Sequence, residues 1–291
     1  MKYANREGEI FEEKNSQERF LNKLYTTMAG QAGLKILTRP WVSKLGGAFL
    51  GSPFSKCMIR KFIETNQIDM DQYEQVPYRS YNDFFTRKIK HGKRPLPEDP
   101  YILFSPCDCK VSVYPLEENG SFTVKDTEYT ATSLLKSRKI AKYFEGGYAV
   151  ILRLTVDDYH RYCYIDDGEK SDNFFIPGIY HTVNPIANDY VKIYKENARE
   201  FTMMKTEHFG KVVQVEVGAL MVGRIQNHHE AGPMARGAEK GYFEFGGSTI
   251  VLLLEKNRVK IREELLERSK DQCETKVLQG DPLGRAIERR K

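Results

Sequence analysis

The stretch GYFEFGGSTIVLLLEKN, residues 241–257, decides how this sequence is read. Ile250 to Leu254 is an apolar, strand-like run, and Gly246, Gly247, Ser248 and Thr249 lead into it. A glycine-containing turn accounts for the two glycines. It does not account for a small hydroxyl placed directly after a residue with no side chain. A serine in that place can attack the carbonyl carbon of the preceding residue when the backbone is held in strain, and glycine removes the Cβ obstacle. The acyl group then shifts from nitrogen to oxygen, and loss of the α-proton expels the glycine carboxylate. The new N-terminal dehydroalanine hydrolyses to a ketone, a pyruvoyl group. Such a ketone can form a Schiff base with a substrate amine and act as an electron sink. From these residues alone, turn and reactive bond both stay open.

Working outward, the sequence from about residue 100 is β-rich. Short runs recur at 101–105, 110–114, 148–156, 211–225 and 248–255, separated by Gly, Pro, Asn and Asp clusters. TSLLKSRKIAKYF, within 131–144, reads as helix in between, and the tail QGDPLGRAIERRK reads as an exposed polar segment. The first 20 residues are polar and suit an extension or a sheet edge. Residues 20–62 carry a helical pattern, punctuated by Pro40 and by Gly46-Gly47. The part from Trp41 to Phe62 mixes large apolar residues with Lys44, Lys56, Arg60 and Lys61. It suits an anionic bilayer surface or the protein's own core. Residues 80–97 read as a short helix followed by a proline-punctuated loop.

The 291 residues suffice for one large domain or a domain with an appendage, and the formal charge of +5 is mild. Five cysteines and no signal-like start lead us to expect reduced thiols in a cytosolic protein. No run is long and apolar enough to cross a bilayer. Phosphate-cradling glycine loops, a G-x-S-x-G elbow and nucleic-acid motifs are absent.

Three further stretches carry candidate chemistry. In LRLTVDDYHRYC, 152–163, a β-rich run ends in Asp157, Asp158, Tyr159, His160 and Arg161, a combination suited to proton transfer or to a surface salt-bridge cluster. In FSPCDCKVSVY, 104–114, Asp108 enters a strand between Cys107 and Cys109 and is placed to orient a histidine. The two thiols have no second Cys/His pair at zinc spacing, so no metal is expected. In IPGIYHTVNPIAND, 176–189, a shaped loop holds His181 and Asn184. His228-His229 reads as part of a mobile loop.

Taken in order, these segments resemble the phosphatidylserine decarboxylases, a family of pyruvoyl-dependent enzymes. YRSYNDFFTRKIKHGKRPL (78–96) is similar to the family's F-F-x-R-x-x-x-x-x-R-P. SPCDCKV (105–111) is similar to S-P-x-D-G, and DDYHRY (157–162) to D-Y-H-R. IPGIYHTVNPIA (176–187) resembles the P-G-x-x-x-x-V-N loop, VEVGALMVGRI (215–225) the V-G-A-x-x-V-G segment, and KGYFEFGGSTIVLL (240–253) the G-x-F-x-x-G-S-T cleavage segment. DPLGRAI (281–287) resembles a C-terminal feature of some bacterial members. The match spans about residues 75–290.

The resemblance implies an α+β fold with a β-rich, barrel-like core behind an N-terminal helical segment. Residues 1–75 would be that segment and dock on membrane, and 76–291 would be the catalytic domain. The chain would cut itself between Gly247 and Ser248, giving a β chain of 1–247 and an α chain of 248–291 with Ser248 converted to the pyruvoyl group. Asp108 and Ser248 carry over to the family's maturation residues. Many members read D-Y-H-R-x-H, and Cys163 stands where the second histidine belongs, so His160 or His181 must supply the base, with His181 slightly preferred. A Cys163 thiol is mostly protonated at neutral pH and is a poor candidate. His160 is expected to reprotonate the substrate's α-carbon, with Tyr159 and Asn184 as substrate contacts. The substrate would be phosphatidylserine in an anionic membrane, the product phosphatidylethanolamine, and the enzyme a homodimer on the cytoplasmic face of the cell membrane. Two alternatives stand beside this: a pyruvoyl decarboxylase of a soluble amino acid, and a non-catalytic membrane-surface protein with the bond intact.

Overall fold

The computed structural model describes residues 2–12, 27, 40–124, 127–178, 197–218, 224–244 and 248–288. Its strands, in chain order, begin with β1 (Lys2–Ala4), β2 (Ile10–Glu12), β3 (Ile102–Phe104), β4 (Cys109–Pro115), β5 (Ser121–Val124) and β6 (Thr127–Thr130). There follow β7 (Tyr148–Leu154), β8 (Arg161–Cys163), β9 (Gly168–Lys170), β10 (Phe174–Ile176), β11 (Arg199–Thr206) and β12 (Lys211–Val217). The remainder are β13 (Ile225–Asn227), β14 (Gly232–Met234), β15 (Glu239–Phe243), β16 (Ser248–Leu254), β17 (Val259–Ile261), β18 (Cys273–Val277) and β19 (Pro282–Ala286).

The run that opened the sequence reading is the middle of the molecule. β16 pairs antiparallel with β12 on one side, Val215 opposite Val251, and with β7 on the other, Ile151 opposite Val251. Every residue of β16 is buried. Strand alternation sends Val251 and Leu253 into one apolar cluster with Phe144, Val215 and Phe201, and Ile250, Leu252 and Leu254 into a second with Tyr162, Phe209 and Phe243. A strand packed on both faces needs apolar residues at consecutive positions, which is why 250–254 shows no polar alternation.

The large sheet runs β14-β9-β11-β12-β16-β7-β4-β18-β1-β2, with β10 also on β11. Among the described strands, β1 and β18 alone pair in parallel. Two smaller sheets, β13-β15-β8 and β17-β19-β3, flank it, and β5 pairs with β6. The protein is thus a mixed α+β structure, mostly sheet. The barrel-like expectation is not met among the described strands, because the large sheet has two ends and does not close. The N-terminal residues do form a sheet edge, as their polarity suggests.

Among the described residues, three α-helices precede the β body: α1 (Pro40–Leu50), α2 (Cys57–Asn66) and α3 (Tyr81–Phe85). Gly46 and Gly47 do not interrupt the chain as expected but lie inside α1, where the Gly47 carbonyl accepts from Gly51 N–H at 2.8 Å. Pro40 opens that helix, a position that needs no amide hydrogen. Leu50, Tyr81, Phe84 and Phe85 form a separate apolar cluster, with Ile59, Phe62 and Ile63 of α2 packed against it. The other side of this layer leaves Leu45, Phe49, Phe54 and Met58 exposed, Phe54 to 83 %. The helical pattern of residues 20–39 lies outside the described residues apart from Thr27, as does the Lys44 side chain.

The tail departs from the expectation of an exposed segment. Leu283, Gly284 and Ala286 of β19 are buried, held between β17 and β3. A helix at Glu263–Lys270, with Leu265 and Ser269 inward, also lies where no helix was expected.

Candidate active site

Ser248 begins β16 opposite Leu154, the last residue of β7. Alternation places it on the face of Ile250 and Leu252, toward the cluster holding Tyr162 and Phe243. It is fully buried, and its Oγ has no hydrogen-bond partner among the described residues. Burying a hydroxyl unpaired is costly, so a serine left in this state calls for an explanation. Gly247, and with it the scissile bond, lies outside the described residues.

β7 leads from Leu154 directly into the turn that carries His160. Thr155 N–H and Oγ1 both donate to Asp158 Oδ2, each at 2.7 Å, and fix that turn. Phe243 N–H, at the end of β15, donates to the His160 carbonyl at 2.9 Å. His160 and Ser248 are therefore tied to the same two chain segments, the β7 exit and the approach from β15. The imidazole is fully buried and packs on Phe85, ring centroids 4.2 Å apart. His160 Nδ1 sits 3.0 Å from the Asp158 carbonyl, which can only accept, so Nδ1 carries the hydrogen. Nε2 is left with a free lone pair and no partner among the described residues. Burial, reinforced by the positive charge of Arg87, lowers the pKa to about 3, so the ring is neutral at physiological pH. It is an imidazole in the basic form with its acceptor nitrogen unspent.

Asp158, by contrast, is pushed up to about 6 by its own burial and by the neighbouring Asp157. Tyr159 is nearly buried against Tyr73, ring centroids 6.3 Å apart. Arg161 Nε donates to the Thr86 carbonyl at 2.8 Å and its Nη1 to Glu239 Oε1 at 2.7 Å. It therefore ties the His160 turn to α3 and to β15.

Asp108 has different partners from those expected. Arg94 donates to both carboxylate oxygens, Nη2 to Oδ2 at 2.6 Å and Nε to Oδ1 at 2.9 Å, and Gln279 N–H donates to Oδ1 at 2.8 Å. None of its described partners is a histidine. The pair is nearly closed to solvent, with Arg94 8 % and Asp108 4 % exposed. Cys163 is buried, its thiol 3.5 Å from the Pro106 carbonyl, and burial pushes it up to about 12. It is a neutral thiol, not a base. Cys107 and Cys109 are fully buried and all five cysteines are free. His181 and Asn184 lie outside the described residues. The His228-His229 segment is not the loose loop expected: His228 Nε2 lies 2.7 Å from Glu239 Oε1, and His229 Nδ1 lies 3.1 Å from Tyr164 Oη.

One residue escaped the sequence reading. Arg87, the arginine of FFTR, is 2 % exposed and lies over the rings of Tyr73 and Phe84, at 4.3 and 4.9 Å. Its Nη2 reaches the Asp157 carbonyl and Tyr73 Oη at 3.4 and 3.3 Å, while Nε and Nη1 have no partner among the described residues. Its position within the motif was visible; its unspent donors were not.

A fully buried serine thus opens β16 after a glycine, and a buried, neutral imidazole stands in the turn that leaves β7, the strand paired with it. A model of the phosphatidylserine decarboxylase family matches residues 81–285. The chain is 44 % identical over 277 residues to "Phosphatidylserine decarboxylase proenzyme 2" of Clostridium acetobutylicum, covering 95 % of each chain. It is 37 % identical over 291 residues to a phosphatidylserine decarboxylase proenzyme of Clostridium botulinum, covering 98 % of this chain and 99 % of the relative. A proenzyme of the same name from Ruminiclostridium cellulolyticum is 38 % identical over 278 residues, covering 94 % and 93 %. The chain belongs to the phosphatidylserine decarboxylase family.

Proposed function

We propose that this protein is a proenzyme that cuts itself between Gly247 and Ser248 and then decarboxylates phosphatidylserine to phosphatidylethanolamine. The observation that carries this reading is the buried Ser248 Oγ without a partner, in company with the free lone pair of His160 Nε2. An orphaned hydroxyl behind glycine fits a residue that becomes the pyruvoyl group rather than one that stabilises a turn. That group, once formed at residue 248, supplies an electrophilic ketone and an electron sink.

The chain's own residues do the rest. For maturation, Ser248 Oγ attacks the Gly247 carbonyl carbon and loses its proton to a base. His160 Nε2 is the described imidazole with its lone pair available, and His181 is the competing candidate. For turnover, His160 Nε2 takes the proton that the substrate's ammonium group sheds in becoming a nucleophile, and delivers it to the α-carbon after carbon dioxide has left. The apolar walls around it, Phe85 among them, exclude water, which favours a step that removes an anion. Asp108, locked by Arg94 and Gln279, fixes the loop entering β4 rather than taking a proton.

The substrate's acyl chains stay in a bilayer, so the site must meet one. We assign docking to residues 1–75 and catalysis to 76–291. Leu45, Phe49, Phe54 and Met58 present an exposed apolar face, with Lys56, Arg60 and Lys61 also exposed beside it to meet anionic headgroups. The same layer rests on the cluster of Phe84 and Phe85, and Phe85 touches His160. Among the described residues no helix is long and apolar enough to cross a membrane. We place the enzyme as a peripheral homodimer on the cytoplasmic membrane face. The test is a substrate panel of phosphatidylserine in vesicles, free serine and other soluble amino acids. Carbon dioxide released from the lipid alone supports the reading, and release from a free amino acid alone overturns it.

A further inference from the structure

We propose that Arg87 is the anchor for the substrate's phosphodiester, an inference that rests on the phosphatidylserine reading above. Arg87 is a buried cation without a counter-ion among the described residues. The nearby carboxylates are committed elsewhere: Asp108 to Arg94, Asp158 to Thr155, and Asp157 to Thr155 under the field of Lys110. Among the described residues nothing takes Nε or Nη1, and the side chain is buried. A guanidinium buried with idle donors is costly unless an anion arrives to take them. Stacking between Tyr73 and Phe84 holds its plane fixed, so little freedom is lost on binding.

Two anions of the substrate compete for this place, its carboxylate and its phosphodiester. The carboxylate is destroyed in the reaction. A guanidinium paired to it would stabilise the ground state more than the transition state and slow the step. The phosphodiester keeps its charge from substrate to product, so holding it costs nothing in the chemical step. It also lies only a few bonds from the α-carbon, which agrees with Arg87 being close enough to His160 for its charge to be felt there. The approach is continuous as well: α1 and α2 pack on Phe84, whose ring lies under the Arg87 guanidinium. A headgroup drawn from beneath that layer meets the cation first and the imidazole next.

The experiment uses the full-length, self-cleaved protein, with rates expressed per cleaved chain. Steady-state decarboxylation of dihexanoyl phosphatidylserine is compared for the parent, Arg87→Lys and Arg87→Met. Binding of glycerophosphoethanolamine, glycerophosphoserine and inorganic phosphate is measured by calorimetry. We expect KM to rise about tenfold for Lys, which loses the planar donor set, and about a hundredfold for Met, with kcat changed much less. Glycerophosphoethanolamine, which has the phosphodiester but no carboxylate, should weaken in parallel. Unchanged KM in both variants overturns the assignment, and so does a fall in kcat alone. Arg87-dependence of glycerophosphoserine without that of glycerophosphoethanolamine makes Arg87 a carboxylate holder, and inorganic phosphate binding as tightly as the headgroup makes it a free-phosphate site; either overturns the proposal. If the Met variant does not fold, the Lys variant decides. If the parent decarboxylates no lipid, the functional reading fails, while glycerophosphoethanolamine binding still tests Arg87.

Discussion

Replacing His160 by glutamine removes a group whose protonation the fold resists, and the consequence is a calculable change in acid stability. In the folded chain burial holds the imidazole pKa down at about 3, against an ordinary value of 6.5. The depressed value means that the unfolded chain binds a proton which the native state refuses. The stabilisation is complete above pH 6.5 and is lost progressively as pH falls toward 3. Between pH 7 and pH 5 the His160 contribution falls by about 2 kcal/mol, since each pH unit within the window is worth about 1.4 kcal/mol. Asp158 acts in the opposite direction: its pKa, raised to about 6 from 3.8, makes the native state gain stability as pH falls through that interval. The two slopes nearly cancel in the parent between pH 6 and pH 4. His160→Gln uncovers the Asp158 slope, so the variant should become more stable on mild acidification while the parent stays level. Urea unfolding at pH 7, 6 and 5, done in a Ser248→Ala background so that one uncut chain unfolds, measures the difference directly. A parent-minus-variant stability that does not change with pH would refute the buried, neutral imidazole and the proton chemistry built on it.

Three further outcomes are expected. Arg94→Ala strands the Asp108 carboxylate in a nearly dry place and should cost about 3–5 kcal/mol of stability, read by the same urea unfolding. Cys163→Ala should still self-cleave, because a thiol pushed up to about 12 is no base, whereas loss of the maturation base should leave a single uncut chain; His160→Ala and His181→Ala compared by gel decide which imidazole that is. Phe54→Asp should weaken sedimentation with phosphatidylserine-containing vesicles by at least about tenfold, since burying one phenylalanine is worth about 1.5–3 kcal/mol. Its rate of decarboxylation of dihexanoyl phosphatidylserine, a short-chain lipid that needs no bilayer docking, should be retained.

Much of this molecule is legible in local pattern. The apolar run 250–254, the short helix at Tyr81–Phe85 and the helical turns near 131–144 declare themselves because each buries apolar residues drawn from its own short stretch of chain. The tail does not. β19 shows only Leu283 and Ala286 inward between polar neighbours, and its place between β17 and β3 is set by pairing with strands far off in sequence. The helix Glu263–Lys270 buries too few apolar residues to print a 3.6-residue period. In the site, Ser248 and His160 can be found from their chemistry, since glycine before serine and imidazole after a strand are local signals. The partners are another matter. Arg94 meeting Asp108, and Arg87 meeting no described carboxylate, depend on how a loop and a helix fold back over the sheet. No spacing rule encodes that, so the arginine and the backbone amide that hold Asp108 are not legible in the sequence.

The central claim is that the bond before Ser248 breaks by the chain's own action, and the intact mass of freshly purified protein under denaturing conditions tests it most directly. The account predicts two chains, the smaller being residues 248–291 with about 5 of the 33.7 kDa and a ketone in place of its amino terminus. Ser248→Ala should run as one chain. A parent protein that remains a single 33.7 kDa species after prolonged incubation would contradict the account.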